Sequence, residues 1–263
     1  MRKLPTSIIV AALMAALLTS GLFVGCVGGV VTGSGNLDTQ EMDFSGFTRV
    51  EVGYAFEVEI VRSDSYTVSI TADDNLFEYI QVSKEGETLK VGLKPAFRYT
   101  FTTLRAEITM PDLYELQLSG AAHGTVEGFS SSHDFILDLS GASSLDMVDM
   151  SAGDIEFDIS GASRVTGGIT AGDADFDVSG ASSVQLQGST SDIVIDASGA
   201  SHVELADFPV NNADVTLSGA SRSTVNLDGR LDADLSGASH LTYIGEPTMG
   251  DINTSGGSTI GPE

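Results

Sequence analysis

The stretch Asp158-Ile159-Ser160-Gly161-Ala162-Ser163 keeps returning along the chain, and that recurrence limits what the chain can fold into. The signature Ser-Gly-(Ala/Gly) begins at Ser119, Ser140, Ser160, Ser179, Ser198, Ser218, Ser236 and Ser255, in steps of 18 to 21 residues. A near-fixed period marks a repeat architecture, in which each unit buries its apolar face only against its neighbours.

Counting back from each signature serine between Ser140 and Ser236, the first, third and fifth residues are apolar. Leu139, Leu137 and Phe135 show it, as do Ile159, Phe157 and Ile155, and Val178, Phe176 and Ala174. Between them stand mostly acids, such as Glu156 and Asp158. Strict alternation predicts a strand with one buried face. A second apolar pair follows many corners, as in Val184 and Leu186 or Val203 and Leu205. No unit contains the helical pattern that a β-α-β crossover requires. Strands recurring in one direction without helices predict an all-β fold, a right-handed parallel β-helix with one coil per repeat.

In such a helix like positions form columns about 4.8 Å apart. The signature glycine supplies the corner conformation. Continued alternation turns Ser143, Ser163, Ser182, Ser201, Ser221, Ser239 and Ser258 inward, as a ladder of small hydroxyls able to bond one another. The motif therefore builds corners. A catalytic nucleophile is needed once, whereas this serine occurs in every coil.

The N-terminus has a different chemistry. Met1-Arg2-Lys3 precedes an apolar run from Ile8 to Leu18, then Leu22-Phe23-Val24-Gly25-Cys26. A charged start, a short apolar core and a small residue at the cleavage point predict a secretory signal over 1–26. Its end resembles the lipobox of bacterial-type lipoproteins, with Cys26 as the lipidated residue. Cys26 is the only cysteine, so no disulfide framework competes for it. The expected product is secreted and anchored by lipid on the extracytoplasmic face of the envelope. Residues 27–43 read as a flexible tether.

The remainder, 44–263, reads as one β-helix domain, with repeat coils over 113–263 and irregular capping coils over 44–112. In the cap, Val50, Val52, Tyr54, Phe56, Val58 and Ile60 alternate with polar partners in a strand-like run. Asp73-Asp74-Asn75 reads as the start of a capped helical turn, and Lys84-Glu85-Gly86-Glu87 as a hairpin turn. Tyr54, Tyr66, Tyr79, Phe97 and Tyr99 gather in this part, as cap core or as a surface for stacking glycans.

The stretch from Phe44 to Val52, the strand from Tyr54 to Ile60, Asp73-Asp74-Asn75-Leu76, the run Leu89 to Leu93, and Leu118-Ser119-Gly120-Ala121 together resemble the putative auto-transporter adhesin, head GIN domain family. The resemblance covers most of the mature chain. It implies a surface-tethered β-helix and carries over no catalytic residues.

Net charge is −25, and after Arg105 the only basic side chains are Arg164, Arg222 and Arg230. Such a surface repels nucleic acid, so no nucleic-acid partner is expected. Asp138, Asp158, Asp177 and Asp196 fall in one column, with Thr216 interrupting before Asp234. Stacked carboxylates at that spacing repel by roughly 0.9 kcal/mol per pair in bulk water. A solvated face is the favoured reading, and a weak Ca²⁺ ladder on those four aspartates the alternative. No other cofactor is expected. Another outward column holds His123, Arg164, His202, Arg222 and His240, with no two histidines on adjacent coils. That spacing does not suit zinc.

The expected function is a non-enzymatic, adhesin-like binding module for a polysaccharide or a cell-surface or matrix ligand. A carbohydrate-active β-helix enzyme and an envelope scaffold or cation-binding protein are the alternatives. Equivalent aspartates in every coil offer no single odd constellation, and no catalytic residue is expected.

Overall fold

The computed structural model describes residues 29–95 and 97–263, so Cys26 and the expected signal segment lie outside the described residues. Each repeat is a coil of two strands joined at the Ser-Gly corner, such as Ile155–Ile159 and Arg164–Thr170. The first of these lies between Phe135–Leu139 and Ala174–Val178, parallel to both. Repetition builds an 11-stranded and a 12-stranded sheet, which together wall a parallel β-solenoid. The first is called the acidic sheet below and the second the mixed sheet.

The alternation read from the sequence decides what each wall buries. Leu137, Phe157, Phe176, Ile195 and Val215 point inward from successive coils of the acidic sheet and are buried. Phe157 stacks nearly flat on Phe176, with ring centroids 5.0 Å apart, and meets Phe135 edge-on at 6.1 Å. Each such side chain contributes about 1.5–3 kcal/mol by leaving water.

Corners set the stacking. Gly120, Gly141, Gly161, Gly180, Gly199, Gly219, Gly237 and Gly256 all have φ between +70° and +78°. A β-carbon at Gly161 would collide with the carbonyl oxygen of Gly141, and the same holds up the column. That carbonyl instead accepts the Ala162 N–H at 2.8 Å, so the backbone ladder runs unbroken through the corner. The serine ladder lies just inside. Ser143, Ser163, Ser182, Ser201, Ser221 and Ser239 are buried, while Ser258, in the last coil, is half-buried. Their hydroxyls bond mainly to the carbonyl three residues back, as Ser221 does to Ser218 at 2.7 Å. Contacts along the ladder are longer, 3.3 Å for Ser143 to Ser163.

The cap departs from the sequence reading in three ways. First, the run from Val50 to Ile60 is two strands, Arg49–Val52 and Glu57–Arg62, with Tyr54 at the corner between them. Second, the coil formed by Thr88–Leu93 and Leu104–Met110 stacks outside the 49–62 coil, although it follows it in sequence. Glu115–Leu118 and His123–Glu127 then join the other side of that first coil. Two antiparallel strands, Thr67–Asp73 and Ile80–Glu85, flank the displaced coil, so the cap is closed by antiparallel pairing rather than by further coils.

Third, the expected tether over 27–43 contains two strands. Val30–Thr32 pairs with Arg98–Thr100, and Leu37–Met42 pairs antiparallel with Thr67–Asp73. The Asp73-Asp74-Asn75 triplet explains the docking. The turn is a short 3₁₀ segment, Asp74–Leu76, and Asp73 makes no side-chain cap bond. Its buried carboxylate instead accepts the Gly35 N–H at 2.7 Å and the Thr103 N–H at 2.8 Å. Asn75 holds Ser34 N–H and the Thr32 carbonyl at 3.0 and 2.9 Å.

One core position is mismatched. Ser223 occupies a buried column that carries Leu145, Val165, Val184, Val203 and Leu241 on other coils, and its hydroxyl has no partner. An unpaired buried hydroxyl is destabilising, and an apolar side chain of the kind the adjoining coils carry here removes the penalty. We therefore expect Ser223→Val to raise unfolding stability by about 1 kcal/mol. Gly161→Ala should lower it by about 2 kcal/mol or more, from the left-handed backbone and the collision with Gly141. Urea unfolding of the two variants beside the parent checks both signs.

Candidate binding surfaces

Outward residues of successive coils stand in register, so both sheets present columns of side chains. On the acidic sheet, Asp138, Asp158, Asp177 and Asp196 face one another across consecutive strands, and Thr216 ends the run. Asp138 is half-buried and the other three are exposed. Burial pushes the Asp138 carboxyl above its ordinary range, and the charges of Asp158 and Glu115 add to that.

Neighbouring columns are less strained. Two residues nearer each strand start, Ile136 and Val194 interrupt Glu115, Glu156, Asp175 and Asp214. At the turns each acid is used by the backbone. The Asp134 carboxylate accepts the Asp154 N–H at 3.0 Å, Asp154 accepts the Asp173 N–H at 2.8 Å, and Asp173 that of Asp192 at 3.2 Å. Asn212 continues this ladder at Arg230. Arg230 also grips Asp232 with two 2.6 Å bonds, and that pairing holds the Asp232 carboxyl below its ordinary range. Much of the acidity is therefore structural. Among the described residues, no group of three or more His, Cys, Asp or Glu is arranged to hold a metal ion.

The mixed sheet carries the histidine and arginine column. In order it reads His123, Ser144, Arg164, Ser183, His202, Arg222, His240 and Thr259. His123 Nδ1 bonds the Ser144 hydroxyl at 2.7 Å, and His240 Nδ1 bonds that of Thr259. His202 lies 3.8 Å from Glu204. The column is a polar stripe with cationic groups, and its histidines are engaged by neighbouring hydroxyls or a carboxylate.

The cap holds a feature that the sequence does not mark. On the outer face of the acidic sheet, Gly92 and Gly53 lie side by side and leave a shallow trough. The Tyr54 ring lies against Gly92 on one side, and Lys90, Glu51 and Gln81 border the rest. Tyr54 packs perpendicular to Tyr99, with centroids 6.2 Å apart, and Tyr99 continues to Tyr79 and Phe97 at 6.0 and 6.3 Å. All four rings are half-exposed. Tyr66, by contrast, packs on buried Phe47 at 4.9 Å. Alternation alone groups these aromatics by sequence, whereas the 94–103 excursion decides which of them meet.

The family described as putative auto-transporter adhesin, head GIN domain matches residues 46–247. The chain belongs to this family. Among solved structures it is similar to a putative adhesin from Parabacteroides merdae, with a TM-score of 0.84 at 16% identity, covering 89% of this chain and 98% of that one. A putative adhesin from Parabacteroides distasonis gives 0.81 at 18%, covering 89% and 100%. A putative lipid binding protein from the same organism gives 0.68 at 16%, covering 89% and 99%. At these identities the likeness establishes the fold. No curated protein matches.

Within this head GIN domain the acidic column makes a testable demand on pH. Asp138 has a raised carboxyl pKa in the folded state, so folding favours its protonated form. Below the unfolded carboxyl range both states are protonated and there is no penalty. As pH rises through the raised folded value, the penalty develops and persists to neutrality. Asp138→Asn should therefore melt above the parent at pH 7, and the gain should vanish by about pH 3, in the unfolded Asp range. Thermal melts of both proteins at the two pH values check the sign.

Proposed function

We propose that this protein is a non-enzymatic binding module displayed on the outside of the cell envelope and held there by a lipid on Cys26. The observation that carries the reading is the surface itself. Two long walls present in-register columns of polar side chains, and solenoids bind through extended surfaces of that kind. Membership of an adhesin-described family supports display at the cell surface. Among the described residues no helix is long and apolar enough to cross a membrane. The aspartate column Asp138, Asp158, Asp177 and Asp196 would then serve solubility, with weak Ca²⁺ occupancy as a secondary property.

The test has two arms. The purified protein is incubated with polysaccharides, host matrix proteins and cell-wall fragments, and retention is read beside release of reducing ends or unsaturated sugars. Retention without turnover is the expected result. Turnover abolished by a single Asp→Asn change overturns the reading in favour of an enzyme. In the second arm, Cys26→Ser should leave the precursor unprocessed or release the protein from membranes. Unchanged processing and membrane association would remove the anchor from the proposal.

A further inference from the structure

The corner column contains one exception. Register places Gly53-Tyr54-Ala55 opposite Ser119-Gly120-Ala121, so Tyr54 occupies the corner position that is glycine in the eight coils from Gly120 to Gly256. It adopts the same left-handed conformation, with φ of +66°. That conformation costs a residue with a side chain about 1–2 kcal/mol, and a glycine nothing comparable. A side chain fits there because the next coil outward leaves the stacked path after Thr88–Leu93, at the 94–103 excursion. Space explains why tyrosine is tolerated. It does not explain why a strained tyrosine stands where glycine suffices, with its ring half-exposed beside a trough.

The trough has a definite chemistry. Gly53 and Gly92 form its floor, with no outward side chains to fill it. The Tyr54 ring is one wall. Gln81, paired opposite Gly92, brings an amide, and Ser119 a hydroxyl whose oxygen is 3.2 Å from where a Gly53 β-carbon would be. Lys90 bridges Glu51 at 3.1 Å and Glu85 at 3.2 Å, so its charge is locally compensated. These two carboxylates raise the Lys90 ammonium pKa and keep it charged. Glu78 and Lys94 line it too, with the Lys94 ammonium donating to the Glu78 carbonyl and lying over the Tyr79 ring. The result is an aromatic wall, a bare floor, and donors and acceptors of both kinds, with cations and anions close to balance.

We propose that this trough is a subsite for a sugar ring of a neutral glycan. A pyranose has an apolar face of C–H groups and a rim of hydroxyls. The face gains dispersion and desolvation against an aromatic ring, and the rim needs donors and acceptors together. Paired ions and amides supply both without demanding a charged ligand. An anionic polymer would face the acidic sheet that continues from the trough, where like charge opposes it. The assignment rests on the binding-module reading and names a ligand class for it.

Saturation-transfer NMR of the purified protein with cellohexaose, laminarihexaose, maltohexaose and chitohexaose tests it, with polygalacturonate as the charged comparator. The expected result is saturation of at least one neutral oligomer, outcompeting polygalacturonate. Tyr54→Leu retains an apolar contact with Tyr99 but loses the flat ring, and should weaken that binding by about tenfold or more. Gln81→Ala, at an exposed position, should weaken it without changing the melting temperature. Absence of binding by all four neutral oligomers overturns the assignment, as does binding that both variants leave unchanged. If the variants still retain the ligand found in the broader panel, the module reading stands and the trough assignment alone falls.

Discussion

The close approach of backbone to backbone at the glycine corners is the constraint from which the rest of the solenoid follows. Each corner carbonyl receives the next coil's N–H, as Gly161 does from Ala181 at 2.8 Å. Only a residue without a β-carbon leaves that path open at φ near +77°. With the corner held at one coil spacing, like positions on both strands fall into register. Inward, this stacks Phe157 on Phe176 and aligns the serines. Outward, it aligns whatever the repeat happens to carry, acids included. The same contact that makes the core regular makes the surface a set of columns.

A stack of parallel coils has open edges at its ends, and an exposed edge invites pairing with another chain. At the N-terminal end the solution is to fold the chain back. The 88–110 coil is placed outside an earlier one, and strands Ile80–Glu85 and Thr67–Asp73 run antiparallel along its free edges. Leu37–Met42 adds one strand more. Asp73 ties this assembly together, because its buried carboxylate takes backbone N–H groups from two segments distant in sequence. A buried carboxylate is tolerable where hydrogen bonds replace its water.

Alignment of acids would be costly if every column stacked them, and the molecule resolves this column by column. At the turns the carboxylates become acceptors for backbone N–H groups of the next coil. In the adjacent column Ile136 and Val194 break the run into pairs, Glu156 beside Asp175 and Asp214 beside Asp232. Only Asp138, Asp158, Asp177 and Asp196 stand four in a row, and Thr216 ends that run. The paired ions around Lys90 at the cap have another balance, with a cation between two acids. The cap and the middle of the solenoid thus offer different chemistry on the same sheet.

Repetition made most of the architecture legible in advance. Alternation at Leu137, Phe157 and Phe176 and the recurring glycines specify strand, face and corner locally, because period and backbone freedom are properties of neighbouring residues. The head GIN resemblance was legible for the same reason. The cap was not. Val52, Tyr54 and Phe56 continue an alternating pattern across a corner, so pattern alone joins two strands into one. The edges of the 49–62 coil are chemically equivalent backbone, so nothing local says that 88–110 will stack on one side and 115–127 on the other. The strands at 30–32 and 37–42 exist because distant partners, Arg98–Thr100 and Thr67–Asp73, complete their hydrogen bonds. Tyr54 depends on both kinds of information. Its residue type is written in the chain, but its left-handed corner and its place beside Gly53 and Gly92 arise only when the coils stack.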